Sequence, residues 1–373
     1  MFTDSLKRTL FASSTLIGMT IGAGVLGLPY IINKVGLSTG LLAIILAGLI
    51  FLIVNLFMGE IVLRTYHKHQ LSGYAYKYLG NKGKNLLTFS LIILTYGALL
   101  AYIIGVGEVL ATLLNLPIII TASAYFALML IFTYPNIKKA EGYESLFVFL
   151  KISLILALAI ILIPKMNVLN LKDFNFYKIL IPFGIAFFSY GGTLAVPEMI
   201  NELKDKKQLK NSIILGMLIT MIIYIIFSVS FIGAFGSNIK EIAVLNLDSE
   251  LLSLLGNLFI FFALSSSFIV VTIGMKDLFH YDLNIRKKLA WLLVIIPPFI
   301  LFILGFNSFI ETISIAGSFA MGLEGILIIL MYNSAKKHSE RKPEYEIKHY
   351  NLLSYVLLIV FLLVIVYQVI SLI

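Results

Sequence analysis

Long, nearly uninterrupted apolar runs, separated by short polar segments, dominate this sequence. A hydrocarbon core about 30 Å thick needs about 20 apolar residues in each helical span, whereas membrane β-barrels use shorter segments of alternating polarity. The runs therefore predict an all-α integral membrane protein with eleven transmembrane helices embedded in a lipid bilayer. The predicted spans lie at residues 9–32, 37–63, 85–114, 117–134, 144–164, 179–201, 211–236, 249–279, 288–306, 310–332 and 349–372.

Composition excludes most soluble functions. The chain is 60% hydrophobic and only 13% charged, whereas soluble domains are about 45–50% apolar and about 25% charged. Little sequence is left for a domain outside the membrane, so we expect no nucleic-acid partner despite the net charge of +9. The chain has no cysteine, which rules out disulfides and cysteine-based metal sites. We expect neither a metal nor a cofactor.

Lysine and arginine predict the orientation. Of the 28 such residues, 22 fall in one set of alternate loops and five in the other, and Lys151 lies inside a span. Positive charge accumulates on the cytoplasmic side of membrane proteins. The sequence therefore predicts a cytoplasmic N-terminus and an outer C-terminus.

The first apolar run does not look like a signal peptide. No small-residue cleavage motif follows it, so we interpret it as a retained span. Cysteine absence and short tails favour a prokaryotic plasma membrane.

An internal repeat predicts the architecture. The segment Gly24–Pro29 (GVLGLP) in span 1 reappears 168 residues later as Gly192–Pro197 (GTLAVP) in span 6. Five spans separate the copies, and an odd number reverses their orientation in the membrane. Two five-helix inverted repeats, each with a broken first helix, are typical of LeuT-type secondary transporters. We therefore predict a first repeat at residues 1–164 and a second at 165–335. Residues 336–373 would add a cytoplasmic loop and an extra span 11.

Glycine and proline predict breaks in spans 1 and 6. Gly22, Gly24 and Gly27 lie close together before Pro29, and Gly191 and Gly192 occupy the matching place in span 6. Each glycine weakens a helix by about 1 kcal/mol, and proline removes a backbone donor. Freed backbone groups are tolerated at membrane depth only beside protein or a wet cavity. Close helix packing is the alternative explanation for such glycines.

The predicted half-helices suit a zwitterion. The outer half of span 1 would begin at its break and turn free N–H groups, near Ala23 to Gly27, toward a carboxylate. The first half of span 6 would end at its break and present the carbonyls of Phe188, Ser189 and Tyr190 to an ammonium group. These two features together favour an amino acid as the ligand.

Three segments carry a family resemblance. Residues 20–29 (TIGAGVLGLP) resemble the first-helix signature of amino-acid permeases in the amino acid–polyamine–organocation superfamily. Residues 261–277 and 188–198 are similar to spans 8 and 6 of its auxin and aromatic amino-acid permease branches. The resemblance implies a LeuT-type fold and proton- or sodium-coupled uptake of amino acids.

The resemblance also implies an ion-coupling site. Proton-coupled members of the superfamily carry a span-5 lysine in the place of a sodium ion, and Lys151 matches it. The expected partners are Gly22 in span 1 with Ser265 and Ser266 in span 8; Ser267 and Thr272 lie close by in sequence. Two alternatives remain: Lys151 could reach the membrane surface along its apolar stem, and the serines could bond to their own helix.

The resemblance makes a span-3 tyrosine a partner for the substrate carboxylate, and Tyr102 is preferred over Tyr96.

The acidic side chains form a separate group. At the end of span 2, Glu60 precedes Arg64 by four residues, which predicts a structural ion pair on one helix face. The sequence leaves the roles of Glu108, Glu198 and Glu324 open. The complete set of predicted substrate-binding residues is Thr20, Gly22, Ala23, Gly24, Val25, Gly27, Tyr102, Phe188, Ser189, Tyr190 and Gly192.

These features predict a secondary active transporter that takes up a neutral or aromatic amino acid by proton symport with alternating access. Sodium coupling on the same fold is one alternative. A membrane-embedded lipid-modifying enzyme is the alternative from another class. Such enzymes need clustered acidic or histidine side chains, and the loops contain no such cluster, so we do not expect an enzyme.

Overall fold

The computed structural model describes residues 4–135, 144–171, 174–348 and 351–372. Lys138, Lys139 and Lys172, which enter the charge count above, lie outside these ranges. Within them the protein is helical and contains no strand. The α-helices are α1 Asp4–Thr20, α2 Ala23–Val35, α3 Leu37–Leu63, α4 Leu71–Leu114, α5 Ile118–Phe132, α6 Glu144–Leu162, α7 Phe183–Tyr190, α8 Val196–Glu202, α9 Gln208–Phe235, α10 Glu250–Asp277, α11 Lys287–Ile303, α12 Phe309–Ile315, α13 Gly322–Lys337 and α14 Asn351–Leu372.

The length and apolarity of these helices make this a multi-pass membrane protein. In the described part of the chain, eight helical segments are long and apolar enough to cross a membrane, and the bent pair α1 and α2 makes a ninth. The helices α5 and α11 are shorter, with 15 and 17 residues. The count of eleven spans therefore stays a prediction.

The first span is bent at its glycines. Helix α1 ends at Thr20 and α2 begins at Ala23, and the two axes differ by 62°. The amide of Ile21 makes the last helical bond of α1, to the carbonyl of Ile17. Gly22 has φ −138° and ψ −140°, outside the helical region. Backbone groups at the end of α1 are thereby released from the helical ladder.

The sixth predicted span is interrupted in a similar way. Helix α7 ends at Tyr190, and Gly191 and Gly192 have non-helical dihedral angles. A single 3₁₀ turn, Thr193–Ala195, then leads into α8. Pro197 lies in the first turn of α8, where its missing N–H breaks no helical hydrogen bond.

The two interruptions touch each other. A Cβ atom placed on Gly24 would lie 2.1 Å from Ser189 Oγ and 2.7 Å from Ser189 Cα. A Cβ atom on Gly192 would lie 2.7 Å from Leu16 Cδ1, in the last turns of α1. Only glycine allows this approach, because any side chain would displace the neighbouring backbone or side chains. Helix α9 packs along α1, α2 and α3 and supports the contact from behind.

A segment that we call the strap, residues 338–348, runs from the end of α13 back onto α3. Its Tyr345 hydroxyl donates to the carbonyl of Leu56 at 2.7 Å, and its Ile347 amide donates to Glu60 Oε2 at 2.7 Å. The fully buried Glu60 also pairs with Arg64 at 2.8 Å and with Lys336 at 2.7 Å. The ion pair predicted between Glu60 and Arg64 is confirmed, and it belongs to a larger network.

Candidate substrate and ion site

A buried lysine lies against the first interruption. The Lys151 ammonium nitrogen, in α6, is 3.5 Å from the carbonyl oxygen of Ile21 and 3.3 Å from Ser267 Oγ in α10. Only 6% of the residue is exposed. An ammonium group at this depth requires such oxygen partners. The side chain is therefore turned into the bundle, and its head contacts the break directly.

Two hydroxyl groups lie against Gly22. A Cβ atom placed there would be 3.7 Å from the Tyr102 hydroxyl oxygen and 3.8 Å from Ser267 Oγ. Both hydroxyls thus face the gap between α1 and α2 and lie next to each other. The structure places the preferred tyrosine, Tyr102, at the break. Tyr96 instead donates to the carbonyl of Leu293 at 2.7 Å, away from the break.

Of the three consecutive serines in α10, Ser267 is the one that contacts Lys151. Successive residues on a helix point about 100° apart, so only one of the three can face the break. Ser266 donates to the carbonyl of Ala263 in its own helix at 3.1 Å. The Ser265 hydroxyl lies beside that of Tyr125. The sequence prediction selected Ser265 and Ser266, and the rotation of the helix places their neighbour at the lysine.

Tyr224, which the sequence analysis did not single out, joins the two interruptions. Its hydroxyl oxygen lies 2.7 Å from the carbonyl oxygen of Thr20 and 2.8 Å from that of Ser189. A tyrosine has a single hydroxyl proton, so the two acceptors share it. One turn earlier in α9, Thr220 Oγ1 is 3.1 Å from Thr20 Oγ1. The four-residue spacing of Thr220 and Tyr224 was the available signal, but nineteen tyrosines make it weak.

The second interruption contacts a buried acid. Thr193, in the turn before α8, donates a hydrogen bond to Glu324 Oε1 in α13. Glu324 is 1% exposed, and its Oε2 has no hydrogen-bond partner among the described residues. The sequence marks this carboxylate as unusual, because charges inside spans are rare and costly, but does not identify its neighbour.

Several residues of the predicted substrate-binding set are packed against other parts of the protein. The Thr20 hydroxyl bonds to its own helix and to Thr220. The Tyr190 ring packs on Gly48 and lies 5.1 Å from the Tyr224 ring. Gly27 contacts Ile310, and Ala23 and Val25 are fully buried. Phe188 is only half-buried.

Backbone groups at both half-helix ends lie outside the regular helical ladder. No side chain caps the N-terminus of α2 at Gly22, so its first N–H groups are available to an anion. At the end of α7, the Phe188 carbonyl accepts from the Gly191 amide at 3.4 Å, and the Ser189 carbonyl accepts from Tyr224. Each carbonyl has a second lone pair, so both can accept one further donor.

A comparison with protein families decides the class of the molecule. Residues 6–370, nearly the whole chain, match the tryptophan/tyrosine permease family. The chain belongs to this family. The match includes both interruptions and also the residues Lys151 and Glu324, so the geometry described above is that of a family member.

The described residues contain no metal-binding cluster: no three His, Cys, Asp or Glu side chains among them lie close enough together to hold a metal ion.

Two curated relatives are named as amino-acid transporters. Glutamine transporter 2 of Aliivibrio fischeri is 27% identical over 365 residues, and the alignment covers 92% of each chain. Tyrosine-specific transport system 1 of Haemophilus influenzae is 24% identical over 369 residues and covers 90% of each. Together with the permease family, these relatives support amino-acid transport and give the enzyme alternative no support.

A solved structure shares the fold. MhsT, crystallised in complex with L-phenylalanine, superposes with a TM-score of 0.70 over 98% of this chain and 99% of its own. Sequence identity is 15%, so the likeness concerns the fold alone. This permease-family chain therefore has the LeuT-type fold of MhsT.

Proposed function

We propose that this permease-family protein takes up a neutral or aromatic amino acid by proton symport, with alternating access. The observation that carries the proposal is the position of Lys151 between the Ile21 carbonyl and Ser267. Carbonyl and hydroxyl oxygens in this arrangement suit a hard cation, and here an ammonium group occupies the place. The lysine replaces a metal ion with a group that can gain and lose a proton.

Lys151 acts on the break through its two contacts. Burial favours the neutral amine, whereas the Ile21 carbonyl and Ser267 stabilise the ammonium form. Charged Lys151 holds α1 to α10 across the gap, and neutral Lys151 releases them. Access of water from either side then shifts this balance, so the proton moves with the conformational change.

The substrate binds at the break in the first span, next to Gly22. The uncapped start of α2 receives the carboxylate, assisted by the Tyr102 hydroxyl, and the carbonyls at the end of α7 receive the ammonium group. Phe188 contacts the substrate side chain. The names of the two relatives make glutamine and tyrosine the first candidates, and the L-phenylalanine in complex with MhsT agrees with an aromatic substrate.

We further propose the complete topology. The short helices α5 and α11 cross the membrane with the nine other spans to give eleven, arranged as inverted repeats at residues 1–164 and 165–335. The excess of basic residues in alternate loops supports a cytoplasmic N-terminus and an outer C-terminus in the plasma membrane. The strap then lies on the cytoplasmic side.

The proposal is tested by uptake into proteoliposomes. A thermal-shift screen against the twenty amino acids first identifies a ligand, and L-tyrosine and L-glutamine are then used as radiolabelled probes. We expect accumulation to rise with an inward proton gradient and to be unaffected when choline replaces sodium. A strict sodium requirement would replace the proton mechanism with the sodium-coupled one.

The role of Lys151 is tested separately. We expect Lys151→Ala to reduce gradient-driven accumulation by about tenfold or more, because the charged group at the break is lost. Lys165→Ala removes an exposed lysine just beyond α6 and serves as the matched control. Equal accumulation in both variants would remove Lys151 from the mechanism.

A further inference from the structure

The carboxyl group of Glu324 is not used by the mechanism above, yet it contacts the second interruption. Thr193 donates to its Oε1, while its Oε2 is buried without a hydrogen-bond partner among the described residues. The residue lies at the start of α13, inside a continuous apolar segment Phe309–Lys337. An ionised carboxylate with one donor and no cation is costly in such surroundings.

No charged side chain among the described residues compensates Glu324. Glu60 of α3 and Lys336 of α13 belong to one network. Lys336 lies twelve residues, or about 18 Å, along α13 from Glu324, and Lys337 lies one residue farther. The described part of α14 contains no acidic or basic residue, and Lys77 of α4 pairs with Glu340 of the strap. On α7 and α8, which flank this break, the titratable side chains are Tyr190, Glu198 and Glu202, and Glu202 accepts from Thr15 of α1. Helix α4 also carries Lys82, Lys84 and Glu108, and Lys84 donates to the carbonyl of Asp282.

We propose that Glu324 binds a proton in each transport cycle and controls the second half of the broken sixth span through Thr193. The inference rests on the proposed function and adds a second proton-binding residue to it. While Thr193 is bonded to its Oε1, as in the arrangement described here, Glu324 is neutral. A hydronium ion on the outer side gives up the proton, so that one of its O–H bonds breaks as an O–H bond forms at Oε2. Once α8 moves, the Oε2–H bond breaks and the proton passes to water on the cytoplasmic side, so each cycle carries one proton across on Glu324.

Thr193 links the Glu324 carboxyl group to the backbone at the start of α8. Thr193 follows Gly191 and Gly192 directly and begins the turn that leads into α8. Any movement of α8 about these glycines separates Thr193 from Glu324. Separation replaces the Thr193 hydrogen bond at Oε1 with water and opens Oε2 to water, and this hydration favours ionisation. Protonation and the position of α8 are therefore coupled.

The two proposed proton-binding residues occupy related places. Lys151 lies in span 5 and contacts the break in span 1, whereas Glu324 lies in span 10 and contacts the break in span 6. In the proposed inverted repeat, spans 5 and 10 are the last helices of their halves. A titratable residue on the last helix thus faces the broken first helix in each half.

The experiment measures protons and amino acid together. Proteoliposomes that contain a pH-sensitive dye receive radiolabelled L-tyrosine or L-glutamine, whichever the wild type transports, and the ratio of protons to amino acid is determined. We expect Glu324→Gln, which mimics the neutral acid, to lower the ratio by about one. Glu311→Gln changes an exposed glutamate of the same span and should keep the wild-type ratio. Thr193→Val keeps the titratable acid but removes its link to α8, so it should keep a pH-dependent step in amino-acid affinity and lower the ratio; a wild-type ratio would contradict the role of Thr193.

A wild-type ratio in Glu324→Gln would overturn the inference and leave the proposed function intact. The absence of any proton flux in the wild type would instead overturn proton symport itself. If Glu324→Gln transports nothing, the purified variant and wild type are compared by amino-acid affinity against pH. Loss of a pH-dependent step in the variant supports the inference, and identical profiles overturn it.

Discussion

At the scale of single residues, the hydroxyl of Tyr224 holds the two interruptions together, because it serves the carbonyls of both Thr20 and Ser189. We expect Tyr224→Phe to raise the KM for the amino acid roughly fivefold, since losing one buried hydrogen bond costs about 1 kcal/mol. Counterflow exchange in proteoliposomes measures this without a gradient. Tyr96→Phe removes a similar hydroxyl–carbonyl bond between α4 and α11 and should leave KM unchanged. Equal effects of both variants would contradict a special role for Tyr224.

Sequence reasoning reached some of these residues and missed others for a physical reason. Lys151 stands out as a charge inside an apolar run, and the family resemblance directs attention to Tyr102. The choice among Ser265, Ser266 and Ser267 depends on the rotation of α10, which local sequence does not encode. Tyr224 is chemically ordinary among nineteen tyrosines, and only tertiary packing makes it a bridge.

At the scale of helices, Gly24 sets the distance between α2 and α7. We expect Gly24→Ala to destabilise the protein by about 1–3 kcal/mol and to weaken amino-acid binding, because the added methyl group would overlap the Ser189 backbone. Gly274→Ala is the control, since nothing lies within 4 Å of a Cβ atom there. Thermal unfolding in detergent and ligand affinity measure both effects. If Gly24→Ala binds the amino acid with normal affinity, the close contact between Gly24 and Ser189 is not required for binding.

The glycine clusters in the sequence coincide with the ends of α1 and α7. Helix-breaking chemistry is local, so the pattern alone indicates these positions. How closely each glycine is packed depends on neighbours far away in the chain. An added Cβ atom would make only ordinary contacts at Gly22 but would overlap its neighbours at Gly24 and Gly192. The positions of the breaks can therefore be predicted from the sequence, whereas the packing around them cannot.

At the scale of the whole molecule, the strap joins α3 and α13 through the buried Glu60. We expect Glu60→Gln to lower the free energy of unfolding by about 3–5 kcal/mol, because Arg64 and Lys336 lose their shared anion. Glu346→Gln removes a carboxylate whose side chain is 54% exposed and should cost less than about 1 kcal/mol. Melting temperatures in detergent test this order, and similar losses would contradict it.

The start of the strap, around Glu340, should become less stable in acid. Lys77 and the Tyr66 amide lower the pKa of the Glu340 carboxyl below its ordinary value of 4.5. The stabilisation from this carboxylate is thus present above that value and is lost as the pH falls through the lowered pKa. We expect limited proteolysis within residues 338–348 to accelerate in that acidic range in the wild type. Glu340→Gln should be cleaved faster at neutral pH and show no acid step.

The strap also has a consequence for biosynthesis. Glu60 meets Arg64 as soon as that turn of α3 forms, but the Ile347 amide that completes its hydrogen bonding is 287 residues farther along the chain. A carboxylate that is fully buried in the folded protein therefore lacks one of its hydrogen bonds until residue 347 has left the ribosome. This end of the bundle can close only after that segment has been synthesised, long after α3 itself.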